Sequence, residues 1–386
     1  MKKEICENQI LRSQMLYFDI PDKQVVFKGA RVPGSTQMPP MEIKDVEPAV
    51  KVYENGDVRF RFYAPEAKTV EVAGWGGGFS NEKVALSKVE DGWWEGVVSG
   101  ILPGFHYHNF YVDGNLLINP DSTCGYGGFY PANFFELPSD EDDFWMLKDV
   151  PHGDIRMDYY KSSVNGHTKC CWIYTPAGYD DNDKEYPVLY IQHGVGENET
   201  GWIWQGKLNL IADNLIAEGK MEECIIVMNS GYAFKEGESP SFFPGDFDTE
   251  LTADCIPFID SKYRTLKDRN HRAIAGLSLG SSQAFSICMN HRDLFSSMGV
   301  FSGGFPMVRP EYDYTDYYND AETVNKEFDL IFVSGGDDEG FVLRTLPIIE
   351  ELRAKGIEIV DYHHKGFHVW DVWRFSAYEF LQRLFK

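Results

Sequence analysis

The spacing of apolar positions changes period along the chain. From Ala49 to about Leu137 they come in short runs of period two, as in Val58-Arg59-Phe60-Arg61-Phe62-Tyr63, Thr69-Val70-Glu71-Val72-Ala73 and Trp93-Trp94-Glu95-Gly96-Val97-Val98. Such alternation places every second side chain on one face of a strand. Turn formers at Glu54-Asn55-Gly56-Asp57, Glu90-Asp91-Gly92, Leu102-Pro103-Gly104 and Asp113-Gly114 recur at roughly hairpin spacing, so this stretch predicts a small all-β sandwich. Before it, Arg31-Val32-Pro33-Gly34-Ser35-Thr36-Gln37-Met38-Pro39-Pro40 cannot propagate a helix or a ladder, and residues 1–45 read as a leader and linker. After it, the like-charged run Ser139-Asp140-Glu141-Asp142-Asp143 reads as a solvated connector. The expected organisation is a linker over 1–45, a sandwich over 46–138 and a third segment over 139–386.

From Lys169 the rhythm becomes strand, loop, helix. Pro187 to Ile191, Cys224 to Met228, Arg272 to Ala275 and Leu330 to Val333 are unbroken apolar runs of the kind found in strands covered on both faces. Between them, Leu208 to Glu218, Thr249 to Tyr263, Ser281 to Asn290, Leu343 to Lys355 and Trp370 to Phe385 repeat apolar residues three and four apart, as helices with one buried stripe do. Alternating β and α order predicts a mostly parallel, doubly wound α/β sheet, whose ligands sit beyond the carboxyl ends of the strands. Useful residues are therefore expected just after strands.

A length of 386 residues favours two cores over one, and 43% hydrophobic with 25% charged residues excludes a disordered or fibrous chain. A net charge of −24, without a basic patch, argues against nucleic acid and anionic membrane surfaces as partners. The 7 cysteines are scattered without a C-x-x-C pair, which speaks against zinc or redox chemistry and for free thiols in a reducing compartment. Glu4 and Glu7 interrupt any signal-peptide core after Met1, and no apolar run approaches a membrane span. The expectation is a soluble cytoplasmic protein, or an exported one if a leader has been removed.

Directly after the strand at Arg272 comes Gly276-Leu277-Ser278-Leu279-Gly280, followed by a helix start. This is a G-x-S-x-G elbow in its required context, where a serine on a tight strand-to-helix turn takes strained dihedrals and tolerates only small flanking residues. Ser278 is therefore the candidate nucleophile. A serine needs a base, and the base needs an acid to fix its tautomer. His106 and His108 belong to the sandwich, His291 lies beyond the elbow helix, and His363 and His364 end a strand. His368 follows Gly366-Phe367 in the loop before the last helix and is the candidate base, with His364 as its rival. The acid is expected in Gly335-Gly336-Asp337-Asp338-Glu339. Asp338 is selected, since two glycines and one further residue give the turn room to aim it, leaving Asp337 and Glu339 as solvated charges.

An oxyanion hole requires backbone N–H groups aimed where charge develops. Leu279 supplies one. Gln192-His193-Gly194-Val195-Gly196-Glu197-Asn198 follows an earlier strand and supplies the other, from Val195 or from its neighbour Gly194, unless the loop is an ordinary βα turn. His193 then positions the loop. Trp202 and Trp204 follow, and either lines the cleft or packs in the core. Gly303 to Tyr318 reads as a lid or acyl pocket, or else as a packed loop, and Phe234 to Pro244 as a second loop of that type. Trp75, Trp93, Trp94, Tyr126 and Tyr130 either form a sugar platform or fill the sandwich.

The strings Tyr186-Pro187-Val188-Leu189-Tyr190-Ile191-Gln192-His193-Gly194, Glu197-Asn198-Glu199-Thr200-Gly201-Trp202, the elbow with Gln283, and Gly366-Phe367-His368-Val369-Trp370 closely resemble carbohydrate esterase family 1, which contains feruloyl and acetylxylan esterases. Val58 to Pro65, Val112-Asp113-Gly114 and Asn119-Pro120 resemble the early-set immunoglobulin-like module, related to carbohydrate-binding module family 48, that often precedes such esterases. The resemblance implies an α/β-hydrolase fold, a triad of Ser278, Asp338 and His368, an oxyanion region of Gly194, Val195 and Leu279, and substrate contacts at Trp202 and Gln283. Members commonly carry Met and Gly where this chain has Leu279 and Ser281, and the run of three acids leaves the third triad member open.

The implied reaction releases ferulate, a related hydroxycinnamate or acetate from feruloylated or acetylated xylo-oligosaccharides, with neither metal nor cofactor. A siderophore esterase with the same architecture is the alternative. A glycan-binding protein with an inactive hydrolase domain is the alternative from another class, and the presence of all triad candidates argues against it.

Overall fold

The structure is a computed structural model that describes residues 47–139, 142–239, 245–303, 305 and 314–386, together with the antiparallel strand pair Lys23–Phe27 and Met41–Asp45. The proline-rich stretch 31–40, the tip 240–244 and residues 304 and 306–313 of the expected lid lie outside the described residues. The strand pair departs from the expected leader. Val25 pairs with Ile43 and Phe27 with Met41, a register of β-prone residues too short to stand out against the turn formers between them. Contacts divide the chain into Met1–Gly125 with Pro131–Ser139, and Tyr126–Tyr130 with Asp140–Lys386.

The first unit is an antiparallel sandwich. One sheet orders Val50–Val52, Val58–Tyr63, Trp93–Val98 and Ser87–Lys88; the other is built on Val70–Gly74, Gly104–Val112 and Tyr130–Leu137. Alternation decides which side chains go inward: Val58, Phe60 and Phe62 of one strand are all buried, with Val70, Val72, Phe110 and Phe135 opposite. Phe60 is fully covered, its ring 5.5 Å from both Phe79 and Phe135 and 5.3 Å from His108. Burial holds His106 and His108 neutral, lowering them to about 4 and about 3.

The aromatic residues considered for a sugar platform divide. Trp75 stacks on Tyr107 at 4.4 Å, and Trp94 is buried with its indole N–H donated to the Ala64 carbonyl. Trp93 is half-buried beneath the Arg61 guanidinium, 4.1 Å from its ring.

The second unit is an eight-stranded sheet, here numbered β1 (Asp154–Lys161), β2 (Thr168–Thr175), β3 (Val188–Gln192), β4 (Ile225–Asn229), β5 (Arg272–Leu277), β6 (Ser297–Phe301), β7 (Leu330–Gly336) and β8 (Val360–His364). The spatial order is β1-β2-β4-β3-β5-β6-β7-β8, with the β1–β2 and β2–β4 pairs antiparallel and the other pairs parallel. Every residue of β3, β4, β5, β6 and β7 is buried, as unbroken apolar runs require; edge strand β1 is mostly half-buried or exposed, and so carries no such run. The helix read over 249–263 is broken. A π-helical segment, Glu250–Cys255, precedes Ile256–Lys262, because Pro257 lacks an N–H and crowds the preceding turn. Among the described residues no helix is long and apolar enough to cross a membrane.

The sandwich core makes a stability prediction. Phe60→Ala removes a fully buried ring packed against those of Phe79, His108, Phe110 and Phe135, and is expected to cost about 3–5 kcal/mol. Chemical denaturation followed by near-UV circular dichroism measures it; a cost below ~1 kcal/mol contradicts the packing described.

Candidate active site

Ser278 stands between β5 and the helix Leu279–Asn290 with φ 53° and ψ −116°, a conformation that costs of order 1–3 kcal/mol in a residue other than glycine. Its N–H donates to the Phe301 carbonyl at 2.9 Å, which ties the turn to β6. Close packing explains both elbow glycines. A Cβ at Gly276 lies 2.4 Å from the Gly280 backbone, and one at Gly280 lies 2.5 Å from the His193 oxygen. The Ser281 hydroxyl, the departure noted at the elbow, donates to the Ser278 carbonyl at 2.5 Å and is fully buried.

Strand topology converts chain distance into contact. β5, β6, β7 and β8 are successive neighbours, so the loops at their carboxyl ends open on one rim. There the Ser278 hydroxyl donates to His368 Nε2 at 2.9 Å, and His368 Nδ1–H donates to a carboxylate at 2.8 Å. That carboxylate is Glu339, not Asp338. Asp337 and Asp338 are exposed and use their backbone N–H groups to bond the His364 and Gly366 carbonyls, continuing the β7–β8 pairing with side chains outward. Glu339 sits one residue later, at the N-cap of the helix Gly340–Ala354, where the chain turns inward. Its side chain is 1% exposed. Its other oxygen accepts from Gly336 N–H at 2.9 Å and the Ser302 hydroxyl at 2.7 Å, so the buried charge is held by three donors. The rival His364 stacks on Phe375 at 3.7 Å, away from this relay.

The oxyanion loop lies against the nucleophile: a Cβ at Gly194 falls 3.4 Å from Ser278 Cβ. The Gly194 N–H, however, donates to Glu197 Oε2 at 3.1 Å, so it is committed inside the loop. Of the three amides expected there, Val195 and Leu279 are left as the candidate oxyanion donors. His193 positions the loop. Its Nδ1–H donates to the Gly194 carbonyl at 2.8 Å while Nε2 accepts from Gly231 N–H at 3.0 Å, and burial keeps it neutral, lowering it to about 4.

Three further expectations move. Trp202 is 1% exposed, donates its indole N–H to the Gln192 carbonyl and packs edge-on against Trp370, so it belongs to the core. Gln283 donates to the Gly231 carbonyl at 2.8 Å, bracing the loop after β4. Phe305 and Tyr318 pack into the core and Tyr314 onto it, as the packed-loop alternative for this segment has it. What the sequence reading missed is an aromatic group: Tyr232, whose hydroxyl accepts from Gly196 N–H at 2.7 Å, has Phe234 stacked at 6.2 Å and Phe129 at 6.1 Å. Phe129 is 62% exposed at φ 70°, and its N–H donates to the Gly196 carbonyl. A solitary Tyr beside Gly231 gave no periodic signal. Among the described residues no group of three or more His, Cys, Asp and Glu side chains is placed to hold a metal ion.

A serine on a strained elbow, hydrogen-bonded to a histidine that is itself held by a buried carboxylate, on an α/β sheet in this strand order, defines an α/β-hydrolase. Residues 162–383 match the family model described as "Putative esterase", and residues 47–120 match carbohydrate-binding module 48, the isoamylase N-terminal domain. The chain belongs to this esterase family.

Among curated relatives, an endo-1,4-beta-xylanase/feruloyl esterase of Xylanibacter ruminicola is 35% identical over 345 residues, covering 87% of this chain and 46% of the relative. Endo-1,4-beta-xylanase Y of Acetivibrio thermocellus is 29% identical over 50% of this chain and 18% of the relative. The chain thus spans less than half the length of these two proteins. A solved ferulic acid esterase superposes with TM-score 0.53 at 26% identity, over 61% of this chain and 98% of its own. The enterochelin esterase of Shigella flexneri, with TM-score 0.63 over 89% of this chain and 96% of its own at 14% identity, shares the fold.

The elbow packing is testable by itself. Gly280→Ala forces a methyl group into the His193 carbonyl and is expected to lower the melting temperature by several degrees and to reduce labelling of Ser278 by a fluorophosphonate at least ten-fold. Wild-type labelling and melting contradict the contact.

Proposed function

We propose that the protein is a serine carboxylic-ester hydrolase that releases ferulate or a related hydroxycinnamate from feruloylated xylan fragments. The observation that carries this reading is the relay Ser278–His368–Glu339 beside a backbone oxyanion loop. Ser278 Oγ attacks the ester carbonyl while its proton passes to His368 Nε2. Glu339 keeps the Nδ1–H tautomer and faces the imidazolium that forms. The amides of Val195 and Leu279 stabilise the tetrahedral oxyanion. Collapse expels the sugar hydroxyl, protonated by His368. Water then attacks the acyl-enzyme with His368 as base, releasing the acid and restoring the Ser278 hydroxyl.

Support for an aromatic acyl group comes from the exposed ring of Phe129 and its neighbours Tyr232 and Phe234 beside Gly196, flat faces suited to a planar hydroxycinnamoyl group or a sugar ring. The relatives that carry feruloyl esterase names support the same choice. A xylo-oligosaccharide or arabinoxylan bearing feruloyl groups is the proposed substrate class.

Two outcomes are expected. With methyl ferulate, Glu339→Gln lowers kcat about 10³- to 10⁴-fold, because the amide no longer enforces the imidazole tautomer, while Asp338→Asn stays within about three-fold of wild type. Loss of activity in Asp338→Asn with retention in Glu339→Gln reverses the assignment. Product analysis on feruloylated and acetylated xylo-oligosaccharides is expected to show ferulate as the released acid, absent in Ser278→Ala. Release of acetate alone, or turnover only of a catecholate triester, overturns the acyl assignment.

A further inference from the structure

Glu197 is a buried carboxyl beside the relay that the mechanism does not use. It stands three residues after Gly194 in the same loop, and both of its oxygens are committed. Oε2 accepts from Gly194 N–H at 3.1 Å; Oε1 accepts from the Trp370 indole N–H at 2.9 Å. The two donors are distant in sequence and belong to the two parts of the site that must stay in register. Gly194 precedes Val195, and Trp370 stands two residues after His368.

The surroundings are shaped for this bridge. Trp370 is 1% exposed and packs edge-on against Trp373 at 5.1 Å, which in turn packs edge-on against His368 at 5.0 Å. Gly201 has no side chain where one would meet the Trp370 ring at 3.3 Å and Glu197 Oε2 at 3.8 Å. A continuous set of contacts therefore runs from imidazole to indoles to carboxyl to oxyanion loop. We propose that Glu197 is a positioning residue, a clamp that sets the oxyanion loop relative to His368 and acts on the reaction through both without touching substrate.

Keeping a carboxyl there is costly. Burial pushes Glu197 up to about 8, and Tyr232, whose hydroxyl bonds the loop at Gly196, brings no positive charge to relieve it. A group whose folded value is raised above its unfolded one destabilises the fold as pH rises between the two. A carboxyl retained merely to hold the fold together is a poor choice at such a place, since an amide fits the same space. A glutamine, however, has one acceptor and one donor group, and can accept from Gly194 or from Trp370 but not from both through separate oxygens.

This inference rests on the esterase reading, and the experiment separates the two. With methyl ferulate, Glu197→Gln is expected to lower kcat about 10- to 100-fold with KM within three-fold, and to leave the melting temperature at pH 8.5 unchanged or raised. Trp370→Phe, which removes one donor, is expected to lower kcat in part, and the double variant to fall no further than Glu197→Gln. Wild-type protein inactive on every ester sinks the esterase reading. An active wild type with Glu197→Gln within two-fold in kcat, additive losses in the double variant, or a loss matched by fewer fluorophosphonate-reactive molecules overturns the clamp alone.

Discussion

On the hydrolase reading, a hydroxyl becomes a nucleophile here because the backbone beneath it is held where an ordinary residue does not rest. Ser278 at φ 53° presents its Oγ to the rim only while β5, β6 and the helix behind it stay packed within contact distance. Gly276 against Gly280, Gly280 against His193 and Ser278 N–H on Phe301 are the contacts that supply that pressure. Each belongs to a different strand or loop. The parallel sheet is accordingly the source of the strain and also what prevents its relief, and its fully buried strands β3, β5, β6 and β7 make the arrangement stiff.

The same physics assigns different work to identical side chains. Glu339 and Glu197 are both buried glutamates near the relay. Glu339 meets an imidazole N–H, a hydroxyl and an amide, one of which takes up positive charge during the reaction; Glu197 meets an amide and an indole, neither of which ionises. Likewise His193 and His368 are each bonded through both ring nitrogens. His193 is sealed between two backbone groups and kept neutral, whereas His368 is partly exposed and bonds the Ser278 hydroxyl. Residue type nominates candidates, and the partners decide among them.

This is why the sequence carried the architecture and most of the relay but not its third member. Strand and helix order was legible because burial on both faces leaves unbroken apolar runs, and the elbow was legible because its glycines are forced by backbone contact. Choosing among Asp337, Asp338 and Glu339 depended on which of three adjacent acids turns inward, which is settled by pairing of their backbone with His364 and Gly366 across β7 and β8. Nothing local encodes that pairing. Trp202 misled for a related reason: an aromatic residue after a catalytic loop suits a cleft and a core equally, and its indole N–H found a partner in the Gln192 carbonyl inside.

On the hydrolase reading, the substrate at the scissile bond is a neutral ester and one product is a carboxylate, formed beside the buried Glu339 on a chain of net charge −24. A negative field exerts little pull on a neutral ester, so attraction of substrate falls to shape and to aromatic faces such as Phe129 and Tyr232. The same field disfavours the anion once it forms, within the roughly 8 Å over which salt leaves such forces unscreened. The net acidity of the chain thus acts in the direction of product release.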